Sequence, residues 1–144
     1  MTTFFCPACR ADFPEDLATC PRCGLAIHEA WRRLDRVGKL LVALGHREAG
    51  TRLRAAWLLG ETGDPRAVPA LAEAARSERD PYLGREAVRA LAAIGGAEAE
   101  TPLRELRRHP SRIVRLAVEA ARRKLATGDR LPEVLARPHP GAGE

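Results

Sequence analysis

Residues 52–71 read Arg-Leu-Arg-Ala-Ala-Trp-Leu-Leu-Gly-Glu-Thr-Gly-Asp-Pro-Arg-Ala-Val-Pro-Ala-Leu. The first eight are helix formers with apolar side chains spaced for one face. Gly63 then breaks the pattern. Asp64 offers a side-chain acceptor to the next helix, and Pro65 suits a first helical position, where no N–H is needed. The stretch therefore predicts the end of one helix, a tight turn and the start of another.

The pattern recurs. Thr62-Gly63-Asp64, Ile94-Gly95-Gly96 and Thr127-Gly128-Asp129 each follow a similar helical segment, with glycines 32 and 33 residues apart. Small pairs precede each break: Ala55-Ala56, Ala87-Val88 and Ala120-Ala121. A period of this length with two helices per unit predicts an α-solenoid, whose hairpins bury their apolar faces only by stacking. Helices are expected near 29–45, 51–62, 65–77, 81–94, 101–108 and 111–126, with a partial hairpin near 130–136. Asp80-Pro81 and Thr101-Pro102 read as further starts, and Ser111 as a cap. In 111–126, Ile113, Val114, Ala117, Val118, Ala121 and Leu125 form one face and Arg112, Arg115, Glu119, Arg122 and Arg123 the other.

Residues 52–71 resemble a HEAT repeat of the phycobilisome-lyase-like type. The matching positions are Arg52, Ala55, Ala56, Leu59, Gly60, Gly63, Asp64, Pro65, Ala67, Val68, Pro69 and Leu71. The likeness weakens at 84–96, where Gly84 stands for the arginine and Gly96 for the aspartate, and again at 112–135. The resemblance implies an α-solenoid used for recognition. It does not imply lyase activity, because function resides in the site and not in the fold.

Composition agrees with close helix packing. Aromatic residues are 4% of the 144, so alanine and leucine must fill the core. The net charge of +5 is uneven. Residues 1–30 hold two arginines against four carboxylates, a charge of −2, which leaves +7 on the remainder. An acidic head on a basic body suggests an anionic partner for the body. The chain opens without a basic, then apolar, leader, and no run is long enough to span a membrane, so a cytoplasmic protein is expected.

All four cysteines lie in Cys6-Pro7-Ala8-Cys9 and Cys20-Pro21-Arg22-Cys23-Gly24. Two Cys-x2-Cys pairs present four soft thiolates to one tetrahedral ion, so one structural Zn2+ is expected on Cys6, Cys9, Cys20 and Cys23, the alternatives being iron in a rubredoxin-like site or paired disulfides in a secreted protein. With four protein ligands no position is open for substrate. The segment resembles a short zinc ribbon, although Arg10 stands where a glycine often follows the first knuckle. About 27 residues bury too little to fold alone, so the metal must contribute most of the folding free energy, on the order of 10–16 kcal/mol. Phe4, Phe5, Phe13, Leu17, Leu25 and Ile27 are expected to form a small core around it. His28 is a spare donor that a four-cysteine site does not need.

The expected architecture is thus all-α: a short α-solenoid of HEAT-like hairpins at 28–137, a small four-cysteine zinc-ribbon module at 1–27 and a disordered tail at 138–144. HEAT stacks line their hollow with the second helix of each unit. Aligning those helices on their glycines places Arg54, Trp57, Tyr82, Arg89, Arg115 and Arg122 outward as partner-binding residues. Arginine and aromatic side chains are frequent interface anchors. Trp57 reads equally well as a core tryptophan, and the arginines as a solvated face with pairs such as Arg115–Glu119. Residues 104–124 hold eight basic residues against two acidic ones. The function expected is a non-enzymatic protein-binding adaptor, its head docking a second surface or capping the stack against Trp31. The alternative is a nucleic-acid binder using the basic C-terminal face. Motifs for phosphate loops, nucleophile elbows and zinc peptidases are absent, His46, His109 and His139 sit in loops or the tail without periodic partners, and no small-molecule substrate is expected.

Overall fold

The computed structural model describes residues 4–77 and 79–127. The partial hairpin expected at 130–136 and the disordered tail expected at 138–144 lie outside them. Among the described residues the chain is all-α apart from a two-stranded antiparallel ribbon, β1 (Phe4–Phe5) and β2 (Asp12–Phe13), paired Phe4 with Phe13 and Phe5 with Asp12. Seven helices follow: α1 (Ile27–Arg33), α2 (Arg36–Leu44), α3 (Ala49–Thr62), α4 (Val68–Arg76), α5 (Pro81–Ile94), α6 (Gly96–Glu105) and α7 (Arg112–Thr127). No helix of the described residues is long and apolar enough to cross a membrane.

Three hairpins, α2–α3, α4–α5 and α6–α7, stack so that α3, α5 and α7 run side by side as their second helices. The core between them is built from leucine, valine and alanine. Leu59, Leu71, Leu91, Leu103, Val88, Val114 and Val118 are fully enclosed, with Ala56, Ala75, Ala87 and Ala90 between them. Two glycines set the closest approaches. A Cβ on Gly60 would lie 2.9 Å from the Ala90 Cα, so α3 and α5 touch backbone to backbone there. A Cβ on Gly84 would lie 2.8 Å from Val114 Cγ2. α7 thus occupies the space that a side chain at position 84 would need.

Turn chemistry follows the sequence at most joints. Gly63 takes φ +63°, and Asp64 caps a 3-10 turn over Pro65–Ala67 that leads into α4. Asp80 accepts hydrogen bonds from the Tyr82 and Leu83 N–H groups at the start of α5. Arg66 joins the Asp64 turn to Asp35, the cap of α2. The Gly38 N–H, then the Arg66 guanidinium, hold the Asp35 carboxyl below its usual range. For Asp64 the Arg66 side chain, then its backbone N–H, do the same.

Three expectations change. The helix expected at 29–45 is two helices, because Leu34 is extended and the Asp35 side chain accepts from Gly38 N at 2.8 Å, starting a new helix. The helix expected from 101 begins at Gly96. Gly95 and Gly96 reverse the chain together at positive φ, and Pro102 sits inside α6 because Ala99, Pro102 and Leu103 form its buried stripe. Thr101 is therefore mid-helix and caps nothing. Leu125, placed on the buried face of α7 by periodicity, is 51% exposed, while Val114, Val118 and Ala121 of that face are buried.

Candidate functional site

The four cysteines converge. Cys6 and Cys23 sulfurs lie 3.6 Å apart, as do those of Cys9 and Cys20, and all four Sγ atoms fall within 4.8 Å of one another. Zn–S bonds of about 2.3 Å in a tetrahedron put sulfurs about 3.8 Å apart, so the set could hold one such ion. The two knuckles share one backbone design. Arg10 N–H donates to Cys6 O and Gly24 N–H to Cys20 O, each at 2.9 Å. Cys6 N–H donates to Ala11 O and Cys20 N–H to Leu25 O. The fourth residue after each leading cysteine has positive φ, +57° at Arg10 and +77° at Gly24.

Crowding makes these thiols unequal. Burial opposes ionisation of Cys20, but the Cys23 and Arg22 N–H groups and the neighbouring sulfurs outweigh it and draw its thiol down to about 6. The Leu25 N–H favours the Cys23 thiolate, yet burial and the other three sulfurs push that thiol up to about 11. Four thiolates this close would repel one another, which a bound cation would relieve. A metal held here would displace thiol protons, so its affinity would rise with pH. Ile27, Phe13, Leu17 and Leu25 pack around the cysteines as expected, joined by Trp31, whereas Phe4 is 37% exposed and Phe5 turns its ring to Trp31 and His46 instead. His28 is not among them: its Nε2 pairs with Asp16 at 2.7 Å.

The module packs on α1 through Trp31, the residue expected to meet it, and on the loop between α2 and α3 through contacts of Arg10, Asp12 and Phe5 that sequence reading missed. Trp31 donates its indole N–H to Phe5 O at 3.3 Å, and the Phe5 ring stands edge-on to both Trp31 and His46. The Arg10 guanidinium lies over Gly45, where a Cβ would clash at 2.5 Å. This contact offsets the left-handed strain that a non-glycine residue incurs at position 10. His46 is not a free loop histidine; it is 6% exposed. Its Nδ1 accepts from Glu48 N–H, so Nε2 carries the proton and donates to Asp12 Oδ1 at 2.6 Å.

His109, likewise 6% exposed, repeats this bracket. Its Nδ1 accepts from Ser111 N–H, and its Nε2 reaches Arg76 O at the end of α4, in the preceding hairpin. Arg52 donates to the carbonyls of His46 and Arg47, and Arg115 to those of His109 and Pro110. In the first copy the module's Asp12 occupies the place that the preceding repeat fills in the second. The histidine-to-arginine interval of six residues, present twice, was the available signal. Asp12→Ala is expected to cost about 1–3 kcal/mol, because it strands the buried His46 donor. Asp12→Asn keeps an acceptor and recovers most of that. Denaturant midpoints beside metal stoichiometry check this, and loss of metal from Asp12→Ala would place its role inside the module instead.

The six residues expected on the recognition face do not share one fate. Arg54, Tyr82, Arg115 and Arg122 are exposed. Arg54 and Arg122 make no ion pair or side-chain hydrogen bond among the described residues. Tyr82 is 54% exposed beneath the Arg85 guanidinium, while Arg115 is engaged with the two loop carbonyls. The expected Arg115–Glu119 pair is replaced by Arg123–Glu119. Trp57 is half-buried, with its indole N–H enclosed and without a hydrogen-bond partner among the described residues. Arg89 does not point outward. It is 8% exposed, donates to Glu86 at 2.5 Å and to Trp57 O at 3.3 Å, and lies 3.9 Å from Glu61. It locks α5 to α3.

No individual curated protein matches the sequence. The family described as HEAT repeats matches residues 37–122, more than half of the chain and the same residues that form the stacked hairpins. On that match and that architecture, the chain belongs to the HEAT-repeat family.

Proposed function

We propose that this protein is a non-enzymatic adaptor, a recognition solenoid beginning at residue 28 with a structural zinc module at 1–27, and that its HEAT hairpins follow the phycobilisome-lyase-like subtype without its chemistry. HEAT stacks serve as protein-interaction scaffolds. What supports the reading is that Arg54 of α3, Tyr82 of α5 and Arg122 of α7, on the second helices of successive hairpins, are each exposed, with both arginines unpaired among the described residues. Arginine and tyrosine are enriched among the anchors of protein interfaces. Zinc is the reading for the metal, because four thiolates in a closed tetrahedron suit a soft ion and leave no open position; iron, which the same ligands accept, would show itself by its colour and redox activity in the purified protein.

A cross-linking pull-down tests this. Wild-type protein should retain lysate partners that Arg54→Ala/Tyr82→Ala/Arg122→Ala loses, with thermal unfolding unchanged. Recovery of the same partners by both proteins would count against this face. A second reading, binding to nucleic acid, draws on Arg107, Arg108, Arg112 and Arg122, which are exposed and make no ion pair among the described residues. If about five phosphates were engaged, log K would fall against log salt with a slope of about −4 to −5. Duplex binding with that slope would favour this reading over the adaptor.

A further inference from the structure

We propose that a groove between the cysteine module and α1 receives an arginine side chain of a partner protein. The inference extends the adaptor reading, in which the head docks a second surface. Phe4 and Phe13 of the ribbon, Leu17 of the following loop and Trp31 of α1 line a cavity of about 190 Å3, with Asp16 and His28 on the same lining. That volume is below the 300–1,000 Å3 usual for small-molecule pockets and suits one inserted side chain. Phe4 is 37% exposed, so the aromatic lining is open to solvent.

Charge decides which side chain. Asp16 is 59% exposed, and its Oδ1 receives the His28 ring at 2.7 Å. Its Oδ2 makes no hydrogen bond among the described residues. An aliphatic anchor would leave this carboxylate against hydrocarbon, and an acidic anchor would be repelled by it and by a module whose formal charge over residues 1–27 is −1. Four thiolates around a dication would make the module more negative still. Arginine satisfies both parts of the lining. Its methylenes lie along apolar rings, its planar guanidinium stacks on an aromatic face, and its fork matches a carboxylate. The walls come from the ribbon and from α1, so the groove exists only while the module is folded.

The test uses the full chain loaded with zinc. The peptide acetyl-Gly-Arg-Gly-amide is titrated beside its citrulline and norleucine counterparts. The Trp31 indole N–H is the reporter and the Trp57 indole the internal control. The arginine peptide should move Trp31 and bind about tenfold tighter than either counterpart, the scale of one charge-assisted contact. Asp16→Asn should abolish that preference with zinc content unchanged, and chelated protein should bind none of the three. Equal affinity for all three, preference for norleucine, or an unmoved Trp31 at millimolar peptide would overturn the proposal. So would a Trp31 signal that depends on protein concentration alone, which would put a second copy in the groove. The Arg54/Tyr82/Arg122 variant should retain full peptide binding, so failure of the solenoid face and failure of this groove are separable.

Discussion

Chelating the metal, or replacing Cys20 by Ser, is expected to unfold the N-terminal module and leave the solenoid helical. Cys20 is 1% exposed and central to both the thiolate set and the second knuckle. Its loss removes one of four ligands and the sulfur that accepts from the Cys23 N–H at 3.4 Å. The core left behind is too small to fold unaided, and structural zinc of this kind supplies about 10–16 kcal/mol at neutral pH. The consequence does not stop at the module. Trp31 loses its carbonyl acceptor and His46 loses Asp12, so the first hairpin should also weaken, by about 1–3 kcal/mol for the stranded His46 donor. Helical circular dichroism should fall only slightly, while the amide signals of β1 and β2 collapse. A Cys20→Ser protein that kept stoichiometric zinc and an ordered ribbon would refute the four-cysteine site.

Arg89→Ala should destabilise the solenoid by about 2–3 kcal/mol, the largest loss among the arginine variants. Removing the guanidinium leaves Glu86, whose side chain is 17% exposed, without its partner, and frees the Trp57 carbonyl. Breaking one half of an enclosed pair costs more than the pair contributes, because the remaining charge stays desolvated. The partial exposure of Glu86 keeps the loss below that of a fully buried ion. Arg89→Met combined with Glu86→Leu should recover most of it, whereas Arg54→Ala, at an exposed position, should stay within about 0.5 kcal/mol. Chemical denaturation of the three variants decides. If Arg89→Ala matched wild type in stability, Arg89 would be available to a partner and the clamp would be incidental.

The helices, their order and their repeat were legible in the chain because they depend on local rules. Apolar spacing, Gly63, Asp64-Pro65 and Asp80-Pro81 act within a few residues of themselves, and the Cys-x2-Cys pairs bring their own geometry. The misreadings have two causes. Asp35 splits the first helix through its own local cap on Gly38, a signal passed over, whereas Pro102 inside α6 and Leu125 in solvent follow from what packs alongside, which spacing along one helix does not report.

Arg89 and His46 mark the boundary most clearly. Periodicity places Arg89 on an outward position, yet Glu86, Glu61 and the Trp57 carbonyl enclose it, because Gly60 lets α3 and α5 approach to backbone contact. His46 reads as a loop residue until the ribbon folds back and sets Asp12 against it, 34 positions away in the chain. Sequence alone determined the hairpin repeat and the convergence of four sulfurs, since both are written in short intervals. Only the tertiary structure decided which charged side chains hold the stack together and which remain free to meet a partner, because that depends on the distance between neighbouring helices.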